Sequence, residues 1–342
     1  MRKILIGFIG IFIVVVAVFC LILRGCGPAI IYGPEGSSSK KPEPIYNPLN
    51  NEQLTAEPEQ LYIVSIDNNP SARPASGLTF AELVYEVPAE GGISRYLMFF
   101  YGHSAEKIGP VRSARPYMVD IAREWQGAFI HCGGSEAAYD YLRKQAVPSL
   151  NEIYNSPYFY RDKSRRAPHN LYTDTELLAK AAGDKGWSTQ IIPHWQFADA
   201  AVLAEPAADG AAAEPTAATE ITIRYKQAGN TYQYDEPSGL YLRSLGGKPQ
   251  IDALSERQVK VKNILVQEVS SRVLDSEGRL AIDLTAGGRA WYFVSGTVQE
   301  GSWQRASLSE PTVFLGADGQ PWQLQTGNVW IQLIDQNVKF TY

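Results

Sequence analysis

Two positive residues, Arg2 and Lys3, open the chain, and an uninterrupted apolar run from Ile4 to Leu23 follows them. These 20 residues, at a rise of ~1.5 Å each, reach ~30 Å, the thickness of one hydrocarbon core. The run is apolar all round, so it is not the one-sided stripe of a helix that packs on a water-soluble core. Positive charge before the run stays on the cytoplasmic side, which sends residues 27 onward out of the cell.

Two anchors fit this segment. One is an uncleaved membrane helix. The other is a lipoprotein signal cut before Cys26, whose thiol then carries lipid. Leu23-Arg24-Gly25-Cys26 has the Leu and Gly of a lipid-attachment box, with Arg24 where a small or apolar residue is the rule. The run also exceeds the usual ~7–15-residue signal core, which favours the uncleaved helix. Either way the chain hangs from the outer face of a bacterial cytoplasmic membrane, its first expected partner.

The next segment, 27–58, is rich in Pro, Gly, Ser, Lys and Asn and reads as a flexible tether. Beyond it, Leu61–Ile66, Leu83–Val87 and Tyr96–Tyr101 read as strands. Tyr117–Trp125 reads as a helix with Pro116 in its first turn. Ala128–His131 is a short strand, Ser135 caps a helix over 136–144, and Thr173 with Glu176 caps another. Strands alternating with helices predict an α/β domain over 59–197. An Ala/Pro-rich linker or loop spans 198–219. Over 220–342, short alternating runs with turn signals such as Gly229-Asn230 and Gly246-Gly247 predict a mainly antiparallel β domain. Net charge is −5, which disfavours nucleic acid as a partner. Cys20 and Cys26 belong to the N-terminal segment, so Cys132 stands alone and no disulfide framework is expected.

Several blocks are familiar as a set. They are Asp67-Asn68, Ala72-Arg73-Pro74, Ser76-Gly77-Leu78, Val84-Tyr85-Glu86, Glu90-Gly91-Gly92-Ile93-Ser94-Arg95, Ile108-Gly109-Pro110-Val111-Arg112-Ser113-Ala114-Arg115 and His131-Cys132-Gly133-Gly134-Ser135. Gly301-Ser302-Trp303 and Gly327-Asn328-Val329-Trp330 follow in the C-terminal part. Together they resemble the YerB-type lipoprotein family of Gram-positive bacteria, across most of 60–342. The resemblance implies an envelope location and a two-part ectodomain, and supplies no reaction and no catalytic residues.

The chemistry the residues suggest is anionic recognition. Between Arg95 and His169 eleven Lys and Arg stand against seven Asp and Glu, inside a chain that is negative overall. Arg112 and Arg115, with Ser113 between them, precede a helix whose free N–H groups and dipole favour negative charge. Guanidinium forks take phosphate or carboxylate bidentately. A binding site is therefore expected from Arg95, Arg112, Ser113, Arg115, His131 and Ser135. Asp67, Glu86 and Glu90 either share it or pair with its arginines. The expected ligand is an anionic wall polymer or another envelope protein. An alternative is an envelope hydrolase or transferase acting on glycan or phosphate linkages, with the carboxylates or His131 moving protons. The basic stretch Arg161–His169 reads as a solvated loop or a second anion contact. Cys132 lacks the local sequence of a peptidase and reads as a structural thiol. No spacing of His, Cys or carboxylates matches a metal site, and no glycine loop matches a nucleotide cradle, so no cofactor is expected. Trp291, Trp303, Trp322 and Trp330 could stack on sugar, but in a β domain read better as core.

Overall fold

Runs of β-branched and aromatic residues dominate the chain, and such side chains pack well on a pleated surface. The computed structural model describes residues 44–189, 191, 193–198, 216–226 and 228–342. The run Ile4–Leu23, Cys26 and most of the Ala/Pro-rich stretch lie outside the described residues. Among the described residues no helix is long and apolar enough to cross a membrane.

In chain order the main elements are β1 (Tyr62–Asp67), β2 (Leu83–Pro88), β3 (Ser94–Phe100), α1 (Pro116–Glu124), β4 (Ala128–His131), α2 (Glu136–Gln145), β5 (Ser149–Asn151) and α3 (Thr175–Lys185). Then come β6 (Glu220–Tyr225), β7 (Ala228–Asp235), β8 (Leu240–Leu245), β9 (Asn263–Glu268), β10 (Gly288–Val294), β11 (Thr297–Gln304) and β12 (Val329–Ile334). The result is strand-rich with few helices.

One 11-stranded sheet draws on both sides of the Ala-rich stretch. Its order is β11-β10-β9-β12-β2-β3-β1-β4-β5, with Thr216–Ala217 and Val313–Gly316 also paired to β11. The join is β12, which lies parallel to β9 through Ile264↔Trp330 and parallel to β2 through Trp330↔Val84. β3 runs antiparallel to β1 and β2, and β4 and β5 run parallel to β1. Hence β9, β12, β2, β1, β4 and β5 all finish at one end of the sheet.

Both faces of its centre are covered, which is why β2, β3 and β12 are buried at every position. Alternation sends Ile63, Leu83, Leu97 and Phe99 to one face, against α1 and α2. Val64, Val84, Met98 and Trp330 face the other way, against a second sheet built on β6, β7 and β8. The four C-terminal tryptophans are buried in these layers.

Local signals account for the helix ends. Pro116 sits at the start of α1, and the Ser135 hydroxyl accepts from the Ala138 N–H at 3.2 Å. The cap of α3 is Asp174, accepting from the Leu177 N–H at 2.7 Å, and not Thr173 as expected. Thr173 is held instead by a backbone bridge to Ile108. Residues 44–58, expected as tether, also differ. Leu49 is fully buried, and the side chains of Asn47 and Asn50 accept from the N–H groups of Leu49 and Glu52. Those asparagines form turns that carry one apolar anchor into the core.

The two sheets are clamped by an ion pair. Glu86 of β2 and Arg243 of β8 are both fully buried, with Arg243 Nη2 2.5 Å from Glu86 Oε2. Asn230 Nδ2 donates to the same carboxylate oxygen at 2.8 Å, and Ser94 Oγ donates to the other at 2.5 Å. Arg243 also donates to the Tyr232 hydroxyl at 2.9 Å and lies 4.6 Å from the Trp330 ring centroid. A second buried pair, Arg305 with Glu124 at 3.1 Å, ties α1 to the C-terminal part. A buried charge left without its partner is costly. Arg243→Met is therefore expected to lower unfolding stability by about 3–5 kcal/mol, read by denaturant titration of tryptophan fluorescence. The exposed control Arg257→Met should stay within about 0.5 kcal/mol of the parent. Equal effects of the two would show that the pair does not clamp the sheets.

Candidate functional site

The segment 108–115 is placed by backbone bonds on three sides. The Arg112 N–H donates to the Ser65 carbonyl at 2.7 Å, Val111 N–H to Leu171 at 2.8 Å, and Ala114 N–H to Gly133 at 3.0 Å. Glycine is required at 109, where a Cβ would come within 2.8 Å of the Leu171 carbonyl oxygen and 2.6 Å of the Tyr172 ring. The segment thus crosses the finishing end of β1 and β4 and delivers Arg112, Ser113 and Arg115 there.

The expected cluster forms, but as closed pairs. Glu90 lies between two arginines, with Arg95 Nη2 at 2.9 Å and Arg115 Nε at 3.3 Å, and Arg115 Nη2 also bonded to it. Arg95 donates further to the Ser113 carbonyl at 2.8 Å and Arg115 to the Ala114 carbonyl at 2.7 Å. Partial burial pushes the Glu90 carboxyl up, and the two guanidiniums outweigh it, so the carboxyl is held below its ordinary range. Arg112 Nε stands 3.0 Å from Asp67 Oδ2, and His169 Nδ1 stands 2.7 Å from the same oxygen. Only 6% of the Arg95 side chain and 10% of Arg115 reach solvent, against 28% of Arg112.

Three expected members do other work. Glu86 belongs to the buried clamp with Arg243. Ser135 is occupied in capping α2. His131 is fully buried, with Nδ1 2.7 Å from the Gly133 carbonyl and Nε2 2.9 Å from Ser149 Oγ. It cannot reach a ligand, because the strand residue that precedes an exposed turn points into the sheet's core.

Glu152, which the sequence did not single out, joins the face to the basic stretch Arg161–His169. Glu152 accepts from Cys132 Sγ at 3.3 Å and pairs with Arg161 at 3.4 Å, whose side chain is 48% exposed. Burial, then the Glu152 carboxylate, pushes the Cys132 thiol up to about 11, so it stays protonated and is a poor nucleophile. His169 reaches Asp67 across 102 positions of chain, a separation that no local pattern reveals. Among the described residues no group of His, Cys, Asp and Glu could hold a metal ion. What remains available for chemistry is positive: Arg112 and Arg161 still meet solvent, while the carboxylates beside them are engaged.

The neutral state of His131 has a consequence for stability. Burial holds its pKa at about 4, below the ordinary 6.5. As pH falls, the unfolded chain takes up this proton first. The contribution is present above pH 6.5 and is lost as pH drops toward 4. In an NMR titration the His131 imidazole should show no transition near pH 6.5. A midpoint there would contradict the buried, neutral assignment.

Comparison with known proteins agrees with this framework. Residues 49–188 match the family described as protein of unknown function (DUF3048) N-terminal domain, and residues 221–331 match its C-terminal domain. The "Putative lipoprotein YerB" of Bacillus subtilis (strain 168) is 31% identical over 301 residues, which cover 87% of this chain and 87% of the relative. The crystal structure of YerB protein from Bacillus subtilis superposes with a TM-score of 0.75 at 28% identity, covering 87% of this chain and 100% of that one. The chain therefore belongs to the DUF3048 family, whose N- and C-terminal domains are both present in it.

Proposed function

We propose that this protein is a membrane-anchored, extracytoplasmic binding protein of the cell envelope, and that its ligand is an anionic wall polymer met at the strand-end face around Arg112 and Arg161. The observation that carries the reading is the state of the ionisable groups. Asp67, Glu86, Glu90 and Glu152 are each bonded to an arginine, and of those arginines Arg112 and Arg161 keep part of the side chain exposed to solvent while pairing with Asp67 and Glu152. A hydrolase or transferase needs a carboxylate or imidazole free to exchange protons with substrate. Binding needs only the cations, which suit phosphate or carboxylate oxygens. The anchor is supported by Arg2, Lys3 and the run Ile4–Leu23, and by the lipoprotein description of the relative.

Two measurements test this. In a pull-down of wall fragments by the full chain, Arg112→Gln/Arg161→Gln should weaken retention of phosphate-bearing fragments roughly tenfold, and added salt should weaken the parent's retention. Unchanged retention in the variant would sink the site, and preferential capture of another envelope protein would sink the polymer. Mass spectrometry of the mature N-terminus decides the anchor: an intact Met1 peptide means an uncleaved helix, and a lipid-bearing Cys26 means a processed lipoprotein.

A further inference from the structure

A cleft of about 1040 Å³ opens at the same end of the large sheet, beyond β2 and β12. Its walls are the loop after β2 (Gly91, Gly92, Ile93), the end of β6 and the turn after it (Arg224, Lys226), the segment after β12 (Val338, Lys339), and the hairpin after β9 (Val273, Leu280). Open sheets take ligands outside the carboxyl ends of their parallel strands. Here β9, β12 and β2 are three such neighbours.

The charge of the cleft is unbalanced. Arg224, Lys226 and Lys339 line it, and none of the three takes part in an ion pair among the described residues. The carboxylate that lines it, Asp335, is buried and already accepts from the Asn337 N–H at 2.9 Å and from the Ser271 hydroxyl. Arg224 and Lys339 are direct partners across an antiparallel pair. Like charges in that register destabilise a sheet. The fold gains nothing from the juxtaposition, and a bound anion would relieve it.

The cleft is also built to bring a cation and apolar surface together. A Cβ on Gly92 would come within 2.6 Å of Lys226 Cβ and 2.9 Å of its Cδ, so the glycine lets the lysine stem lie against the loop. The φ of +72° at Gly92 requires glycine as well. Val273, in the hairpin after β9, is 65% exposed, and Ile93, Leu280 and Val338, which also line the cleft, are partly exposed. Cations beside uncovered aliphatic side chains suit a molecule with an anionic head and an apolar tail.

We propose that this cleft binds a phosphate-bearing amphiphile, its phosphate on Arg224, Lys226 and Lys339 and its hydrocarbon on Ile93, Val273, Leu280 and Val338. This site does not involve Arg112 and stands apart from the polymer reading. The hairpin tip beyond Val273 is charge-balanced, with Asp275 paired to Arg279 at 2.9 Å, so the cations of the cleft remain its distinguishing charge. Its source is either a soluble alkyl phosphate or the headgroup of a lipid drawn from the membrane.

The test uses the full chain in phosphatidylcholine nanodiscs, titrated with hexyl phosphate, inorganic phosphate and hexyl glucoside, with empty discs as blank. Hexyl phosphate should bind more tightly than either of the others. Arg224→Gln/Lys339→Gln should weaken it roughly tenfold, with a thermal midpoint equal to or above the parent's because a like-charge pair is gone. Val273→Ser should shrink the advantage of hexyl over inorganic phosphate. Competition by phosphatidic acid in the disc would support the proposal with a lipid source, and undiminished binding in its presence would support it with a soluble one. Equal affinity of the double variant, or equal affinity for hexyl glucoside, would overturn it. Retention of wall polymer by the same chain is read separately, so either site can fail without the other.

Discussion

The pairing of Glu86 with Arg243 in a dry space between two sheets constrains the rest of the molecule. Stripping water from either charge alone is prohibitive, and their attraction offsets it only with the remaining hydrogen-bonding sites filled. They are filled from far apart in sequence: Asn68, Ser94 and Asn230 donate to the carboxylate, and the Tyr232 and Tyr96 hydroxyls accept from the guanidinium. The carboxylate comes with β2 and the guanidinium with β8, so neither sheet is electrostatically complete without the other. Arg305 and Glu124 repeat the device between α1 and the C-terminal part. These pairs select one docking of the segments more than they add net stability, since a misregistered sheet would bury a bare charge.

The same constraint sets where chemistry can occur. With β12 inserted beside β2, six parallel strands finish together, and the loops that leave them become neighbours. Asp252, from the C-terminal part, accepts from the Gly77 N–H and the Thr79 N–H, both at 2.9 Å, and so pins a turn of the N-terminal part. The Ser76-Gly77-Leu78 block is intelligible as the turn that fits this carboxylate. Loops fixed from both sides can present side chains with little reorganisation, which is what a binding face needs.

How much could be read in advance follows from the range of each interaction. Strands at Leu61–Ile66, Leu83–Val87 and Tyr96–Tyr101, the start of α1 at Pro116 and the Ser135 cap were legible because periodicity and capping are local. Glu86 was misassigned to a site because its partner stands 157 residues away. Asn230, in a Gly-Asn turn signal, lies inside β7 for the same reason: its amide is drawn in by Glu86. Of the expected arginines, Arg95 and Arg115 meet on Glu90, and Arg112 pairs with Asp67. This closure was not foreseeable, since an arginine before a helix looks the same whether it awaits a ligand or a glutamate.

That closure gives the arginines a use other than direct recognition. Arg95 and Arg115 fasten Glu90, and Glu90 begins the short turn that carries Gly91 and Gly92. The turn is one wall of the cationic cleft, and the stem of Lys226 rests on it. Glu90 also spares the buried Arg95 an unpaired charge, so fixing the loop and satisfying the guanidinium are one event. The block Glu90–Arg95 and the arginines at 112 and 115 then act together as a frame. Arg112 is partly exposed on one side of it, and on the other the glycine backbone shapes a cavity whose charge comes from Arg224, Lys226 and Lys339, on two strands and a turn that the N-terminal part does not supply.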